Sequence, residues 1–175
     1  DWNNFGKPSA AFMKECIQPL PEVEACTAFS TADVALVSLT DGNNRLKVDA
    51  MSTDPDFWKI FKLQFLDGKS FTEAERGGDM QSVVISASVA RKLFGTTEAA
   101  GRQMLLNREV VRIIGVVKDI SVTAKDAYAQ VWSMYHSNEL NVTGWWSYNG
   151  NRTIAVLART PDDFPAIKQL SLIHI

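Results

Sequence analysis

The segment from Gln81 to Lys118, QSVVISASVARKLFGTTEAAGRQMLLNREVVRIIGVVK, leaves the chain the least freedom, because its local signals agree on a β-α-β-β unit. Ser82 to Ile85 is a short apolar β run, and Ser86 after it is suited to cap a helix. Val89, Ala90, Leu93 and Phe94 then fall at i, i+1, i+4 and i+5, one face of a helix. Arg91 and Lys92 stand near its C-terminal end, where cations complement the helix dipole, and Gly95 supplies the left-handed stop. Gln103 to Leu106 and Glu109 to Val117 read as two strands around Asn107-Arg108. Asn tolerates positive φ in such a turn and Arg is a poorer choice than Gly, so the turn type stays open at this level. This unit is built for packing, not for chemistry.

At 175 residues the chain is one large domain or two small lobes with a substantial core. Its net charge of −2 offers no basic footprint and excludes nucleic acid as an expected partner. No window reaches the roughly 18 apolar residues of a spanning helix, and no basic-then-apolar leader opens the chain. The expectation is therefore a soluble segment without an address of its own. Cys16 and Cys26 allow either one disulfide or two buried thiols, a choice that spacing does not make.

Ahead of the central unit, Pro8 suits the first turn of a helix whose apolar face is Phe12, Met13, Cys16, Ile17 and Leu20, ended by Pro19 and Pro21. Thr31 to Thr40 and the alternating stretch Leu46 to Ala50, joined by Asp41-Gly42-Asn43-Asn44, predict a hairpin. Asp54-Pro55 opens a short helix with Phe57, Trp58 and Phe61 on one face, and Thr72-x-x-Glu75 is a capping-box pattern. Beyond the unit, Tyr128 to Tyr135 and Arg152 to Arg159 read as strands, and Thr160-Pro161-Asp162-Asp163 opens a helix carrying Phe164, Ile167 and Leu170. Helices and strands do not alternate regularly, so the fold class is α+β and not doubly wound α/β. Ser171 to Ile175 follow abruptly and are set aside as a tail.

Catalytic patterns fall short. Gly68-Lys69-Ser70 resembles the end of a phosphate loop, but Leu63 stands where its first glycine belongs. His136 and His174 lack partners at ligand spacing. Ser88 is followed at three by Arg91 and not by lysine. Glu73/Glu75 and Asp162/Asp163 lie at helix openings, where acids serve the dipole. The expectation is no enzyme: no catalytic residue, no metal, no cofactor. Trp145, Trp146 and Tyr148, in the irregular segment Asn138 to Asn151, either cover a core edge or form an exposed aromatic contact surface. The second alternative makes them the candidate partner-binding residues.

Three segments in order carry a family resemblance. They are Val48 to Glu75 (VDAMSTDPDFWKIFKLQFLDGKSFTEAE), Val83 to Asp119 with its VVISASVARKLFG and IIGVVKD runs, and Val131 to Ser137 (VWSMYHS). Together they resemble the periplasmic core domain of MacB-like ABC-transporter permeases, a family that includes FtsX-like proteins. The chain departs from the pattern at Met134, where proline is common, and at Arg108, where the Asn-Gly turn has glycine.

The resemblance implies a two-lobed extracytoplasmic domain of an inner-membrane protein, lying between two transmembrane helices. It has a porter-like lobe from residues 1–66 and 151–170, an inserted lobe from 67–150, and 171–175 as tail. The segments near Phe12 and Leu170 would then meet on one lobe. The implied partners are the flanking transmembrane helices, a cytoplasmic ATPase subunit or domain, a periplasmic adaptor or cargo protein, and a second permease copy. The implied role is non-catalytic coupling of ATP hydrolysis to export of lipoproteins, peptides or drugs, or to activation of cell-wall hydrolases. A free-standing extracytoplasmic binding or scaffold domain is the alternative.

Overall fold

The computed structural model describes residues 7–141 and 143–173, with side chains except at 145 and 170–173. In chain order the elements are β1 (Lys7–Pro8), α1 (Ala10–Phe12) with a π-helical turn at Met13–Ile17, β2 (Val23–Ser30), β3 (Asp33–Ser38), β4 (Leu46–Thr53), α2 (Phe57–Phe61) and β5 (Phe65–Gly68). A 3-10 turn at Glu73–Glu75 leads into β6 (Ser82–Ser86), α3 (Ala87–Phe94), β7 (Gln103–Leu106), β8 (Glu109–Val117) and β9 (Val131–Met134). Turns at Ser137–Leu140 and Trp145–Tyr148 precede β10 (Asn149–Gly150), β11 (Arg152–Ala158), a turn at Pro161–Asp163 and α4 (Phe164–Ile173). The class is α+β.

The central unit forms as its residues dictate. Ser86 accepts the Val89 amide at 3.5 Å, and Asp119 adds a second cap by accepting the Ser88 amide at 2.8 Å. Gly95 ends α3 at φ +74°, and Ala87, Val89, Ala90 and Leu93 are buried. Asn107 and Arg108 both take positive φ, 51° and 77°, which makes the β7–β8 connection the primed kind that matches strand twist.

Seven strands form one sheet in the order β5-β8-β6-β9-β4-β3-β7, and β7 pairs again with β8. That second pairing closes six strands into a barrel, with β5 lying outside along β8. Strand alternation divides the side chains: Val37, Val48, Val83, Ile85, Val111 and Ile113 fill the barrel, and α3 packs against them. The closing seam between β3 and β7 spans only Val37↔Leu106 and Ser38↔Leu105. Asn107 extends it, because its amide donates to the Leu36 carbonyl at 2.8 Å and its side chain accepts the Leu36 amide at 2.9 Å. Leu93 is 2% exposed, so Leu93→Ala is expected to cost about 3 kcal/mol in urea unfolding. A loss below about 1 kcal/mol would mean that the helix does not seal the barrel.

β2 and β11 form a separate antiparallel ribbon, from Arg152↔Ser30 to Ala158↔Val23. One face of the ribbon packs on Phe12, Met13, Ile17 and Ile167. Segments near the two ends of the described chain thus share one core. The other face meets an aromatic layer on the outside of the barrel, where Phe29 joins Phe57, Trp58, Phe71 and Trp132. The hairpin β3–β4 pairs within the same sheet as the central unit, β4 with β3 on one edge and with β9 on the other.

Several local expectations also shift. Pro8 lies in the bridge to β10, and Ser9 caps α1 by accepting the Phe12 amide at 3.1 Å. Cys16 and Cys26 are unbridged, and burial pushes the Cys26 thiol up to about 12. β5 ends at Gly68 with φ +65°, where an added Cβ would stand 2.1 Å from the Ile114 carbonyl oxygen. Close strand packing against β8 therefore explains the glycine of Gly68-Lys69-Ser70.

Candidate functional site

The ribbon and barrel meet at a cluster of buried polar side chains drawn from five segments. Asp54, at the corner between β4 and α2, is 4% exposed. Sequence makes it a helix cap, but the cap position of α2 falls two residues later at Asp56, and one Asp54 oxygen accepts the Asp56 amide at 3.0 Å. The other crosses to the ribbon and accepts the Ala28 amide of β2 at 2.8 Å and the Tyr135 hydroxyl at 3.3 Å. Thr27 and Thr53 add a hydroxyl pair at 3.3 Å. Burial pushes the Asp54 carboxyl up to about 6, against the hydrogen bonds that favour its charged form. Burial and the nearby Asp54 charge also raise the Tyr135 phenol.

Two arginines face the Tyr135 ring, Arg76 at 4.8 Å and Arg152 at 5.0 Å from its centroid. Arg76 donates to both oxygens of Glu73 and, at 2.9 Å, to the Tyr135 carbonyl. The guanidinium beside it holds the Glu73 carboxyl below its usual range. Arg152, 5% exposed at the head of β11, donates to the Ser52 carbonyl at 3.0 Å and binds Glu139 through two nitrogens. An open groove of about 920 Å³ reaches this cluster, with Lys14, Asp54, Trp58, Phe71, Arg76 and Tyr135 among its walls.

None of this junction is visible as a motif, since its members are scattered between β2 and β11. The available signal is an arginine heading the apolar run RTIAVLA and an aspartate before proline.

The three aromatics singled out from sequence part company. Trp146 is 81% exposed. Tyr148 is half-buried: its ring packs edge-on against Phe12 at 6.1 Å and its hydroxyl donates to Glu15 at 2.7 Å. The side chain of Trp145 lies outside the described residues. Ser9 pins the loop by donating from its hydroxyl to the Ser147 carbonyl at 2.6 Å and from its amide to the Tyr148 carbonyl at 3.0 Å.

The acidic pairs serve local structure. Glu75 completes a capping box with Thr72, and Asp163 does so with Thr160. His136 is exposed, and His174 lies outside the described residues. Among the described residues no group of three or more His, Cys, Asp or Glu is placed to hold a metal ion, and no helix is long and apolar enough to cross a membrane.

The fold is similar to that of solved extracytoplasmic domains of transporters. The periplasmic region of MacB from Actinobacillus actinomycetemcomitans superposes with a TM-score of 0.73 at 16% identity, over 97% of this chain and 74% of that one. The extracellular domain of the ABC-type transporter YknZ from Gram-positive bacteria gives 0.68 at 18% identity, over 95% and 83%. The family model of the MacB-like periplasmic core domain matches residues 2–170, and the chain belongs to that family of ABC-transporter permease domains. Among curated relatives, a macrolide export ATP-binding/permease protein of Wolinella succinogenes is 26% identical over 149 residues, covering 84% of this chain and 23% of the relative. Its namesake from Neisseria gonorrhoeae is 27% identical over 108 residues, covering 61% and 17%. The chain thus spans less than a quarter of the length of these relatives.

Proposed function

We propose that this domain is the non-catalytic mechanical and recognition element of an ABC-transporter permease, held outside the membrane by flanking transmembrane helices. A cytoplasmic ATPase would move those helices, and the ribbon would pass their displacement to the barrel. The observation that carries this reading is the junction itself. Arg152 of β11 donates to the Ser52 carbonyl of β4, and Asp54 after β4 accepts the Ala28 amide of β2 while Tyr135 after β9 braces it; low local dielectric stiffens such a network. The shared core of Phe12 and Ile167 supports a single tethered lobe. In this division residues 7–30 and 135–173 form the tethered lobe and 31–134 the inserted one. Export of a drug, peptide or lipoprotein cargo, or activation of a cell-wall hydrolase, by a dimeric permease with a periplasmic adaptor is the corresponding whole-protein role. The macrolide exporters among its relatives favour the drug case.

Trp146 is the recognition anchor on this reading, standing on a loop that Tyr148 and Ser9 hold in place. In the full-length permease, Trp146→Ala is expected to abolish export-linked resistance while the isolated domain unfolds within about 0.5 kcal/mol of wild type. Unchanged resistance with normal folding would remove the loop as a contact. Deletion of the whole domain without effect on any cargo-dependent activity would remove the broader role.

A further inference from the structure

Among the described residues Asp54 has no cation bonded to it, unlike the neighbouring carboxylates Glu73, Glu139 and Asp56. Arg76 is engaged by Glu73, Arg152 by Glu139, and Lys59 by Asp56 at 2.6 Å. We propose that Asp54 is a proton-dependent latch between ribbon and barrel: neutral, it holds β2 against the β4–α2 corner, and ionised, it loosens that contact toward the groove.

The geometry supplies both halves of the device. Closure rests on the carboxyl reaching across to the Ala28 amide at 2.8 Å, a link from barrel corner to ribbon. Opening is available because the same carboxyl lies in the wall of the 920 Å³ groove, where water can solvate the anion once the contact parts. The surroundings are mixed. From β2 come the Ala28 amide, the Thr27 hydroxyl and the Cys26 thiol. From the start of α2 come Asp56, which opposes a second negative charge, and Lys59, already paired with Asp56. Tyr135 donates a hydroxyl from the end of β9, with the Arg76 and Arg152 guanidiniums held over its ring, and Lys14 lines the groove from the π-helical turn.

Desolvation outweighs these donors and leaves the carboxyl at about 6 in the folded chain against an ordinary 3.8. A raised value means that the closed form gains stability below 3.8 and loses it as pH climbs through about 6. Glu73 and Glu75 are shifted downward, so their contributions fade only at more acid pH.

Native-state hydrogen exchange of the Ala28 amide, corrected for intrinsic rates, reads the latch directly in the purified domain. Between pH 5 and pH 8 its opening constant is expected to rise about tenfold, from linkage between the two values above. In Asp54→Asn, which keeps an acceptor for Ala28 and cannot ionise, the rise should shrink to less than about twofold. A change below about twofold in wild type, or a tenfold rise that persists in the Asn variant, overturns the latch. Should the Asn variant fail to fold, Tyr135→Phe takes its place. Removing a donor to the ionised carboxylate must steepen the pH response, and an unchanged response overturns the latch equally.

Discussion

Trp132→Ala is expected to destabilise the domain by about 3–5 kcal/mol, with the loss read as a lower urea midpoint at unchanged slope. Trp132 is completely buried and is among the largest fully enclosed side chains. It sits on β9 opposite Met51 of β4 and Val84 of β6, so strands on both sides fix its position. Its ring stands edge-on to Trp58 at 6.0 Å, where the barrel's outer face meets α2. Truncation would open a cavity in the layer that joins ribbon to barrel, and neighbours fixed by strand pairing can collapse into it only partly. The indole N–H finds no acceptor among the described residues. Trp132→Phe should therefore recover most of the loss, because it keeps much of the volume and removes an unsatisfied donor. An alanine variant within about 1 kcal/mol of wild type would mean that the aromatic layer is not a continuous core.

Arg152→Ala is the second large effect, expected at about 3–5 kcal/mol. At 5% exposure the guanidinium is withdrawn from solvent and bonded to Glu139, the Ser52 carbonyl and the Ser52 hydroxyl. Its removal leaves the Ser52 carbonyl and the Glu139 carboxylate without their partner, and Tyr135 loses one of two cations over its ring. Arg152→Lys should recover less than half of the loss, since an ammonium cannot reproduce the planar fork that serves β4 and the turn at Ser137–Leu140 together. Full recovery with lysine would reduce the interaction to simple charge, and a loss in alanine below about 1 kcal/mol would detach Arg152 from the junction altogether.

Much of the local structure was legible before folding. The capping serine and terminal glycine of α3 worked as sequence chemistry requires, and so did the capping box at Thr72 and Glu75. These features depend on residues three or four apart, and their physics is complete within one turn of chain. The strand expected at Tyr128 to Tyr135 contracts to Val131–Met134 because Gln130 instead bonds Asp49, its amide to the carbonyl at 2.7 Å and its side chain to the amide at 3.2 Å. The family resemblance depended on an ordered series of such local patterns, and it pointed to the family to which the chain belongs.

β2 was missed altogether, and the reason is physical. In VEACTAFS both faces are buried, Cys26 and Ala28 toward the helices and Phe29 toward the barrel, so no polar-apolar alternation marks it as a strand. Without β2 its partner β11 has no visible ribbon to join.

By itself, then, the sequence determined α3 with its caps, the capping box at Thr72 and the strands of the central unit. The tertiary structure alone decided which strands pair, that a short β3–β7 seam closes a barrel, and that Asp54, Tyr135, Arg76 and Arg152 converge. It also separated exposed Trp146 from Tyr148, which Phe12 and Glu15 hold. Local propensity acts through neighbours in the chain, whereas burial and long-range pairing depend on what the rest of the fold brings alongside.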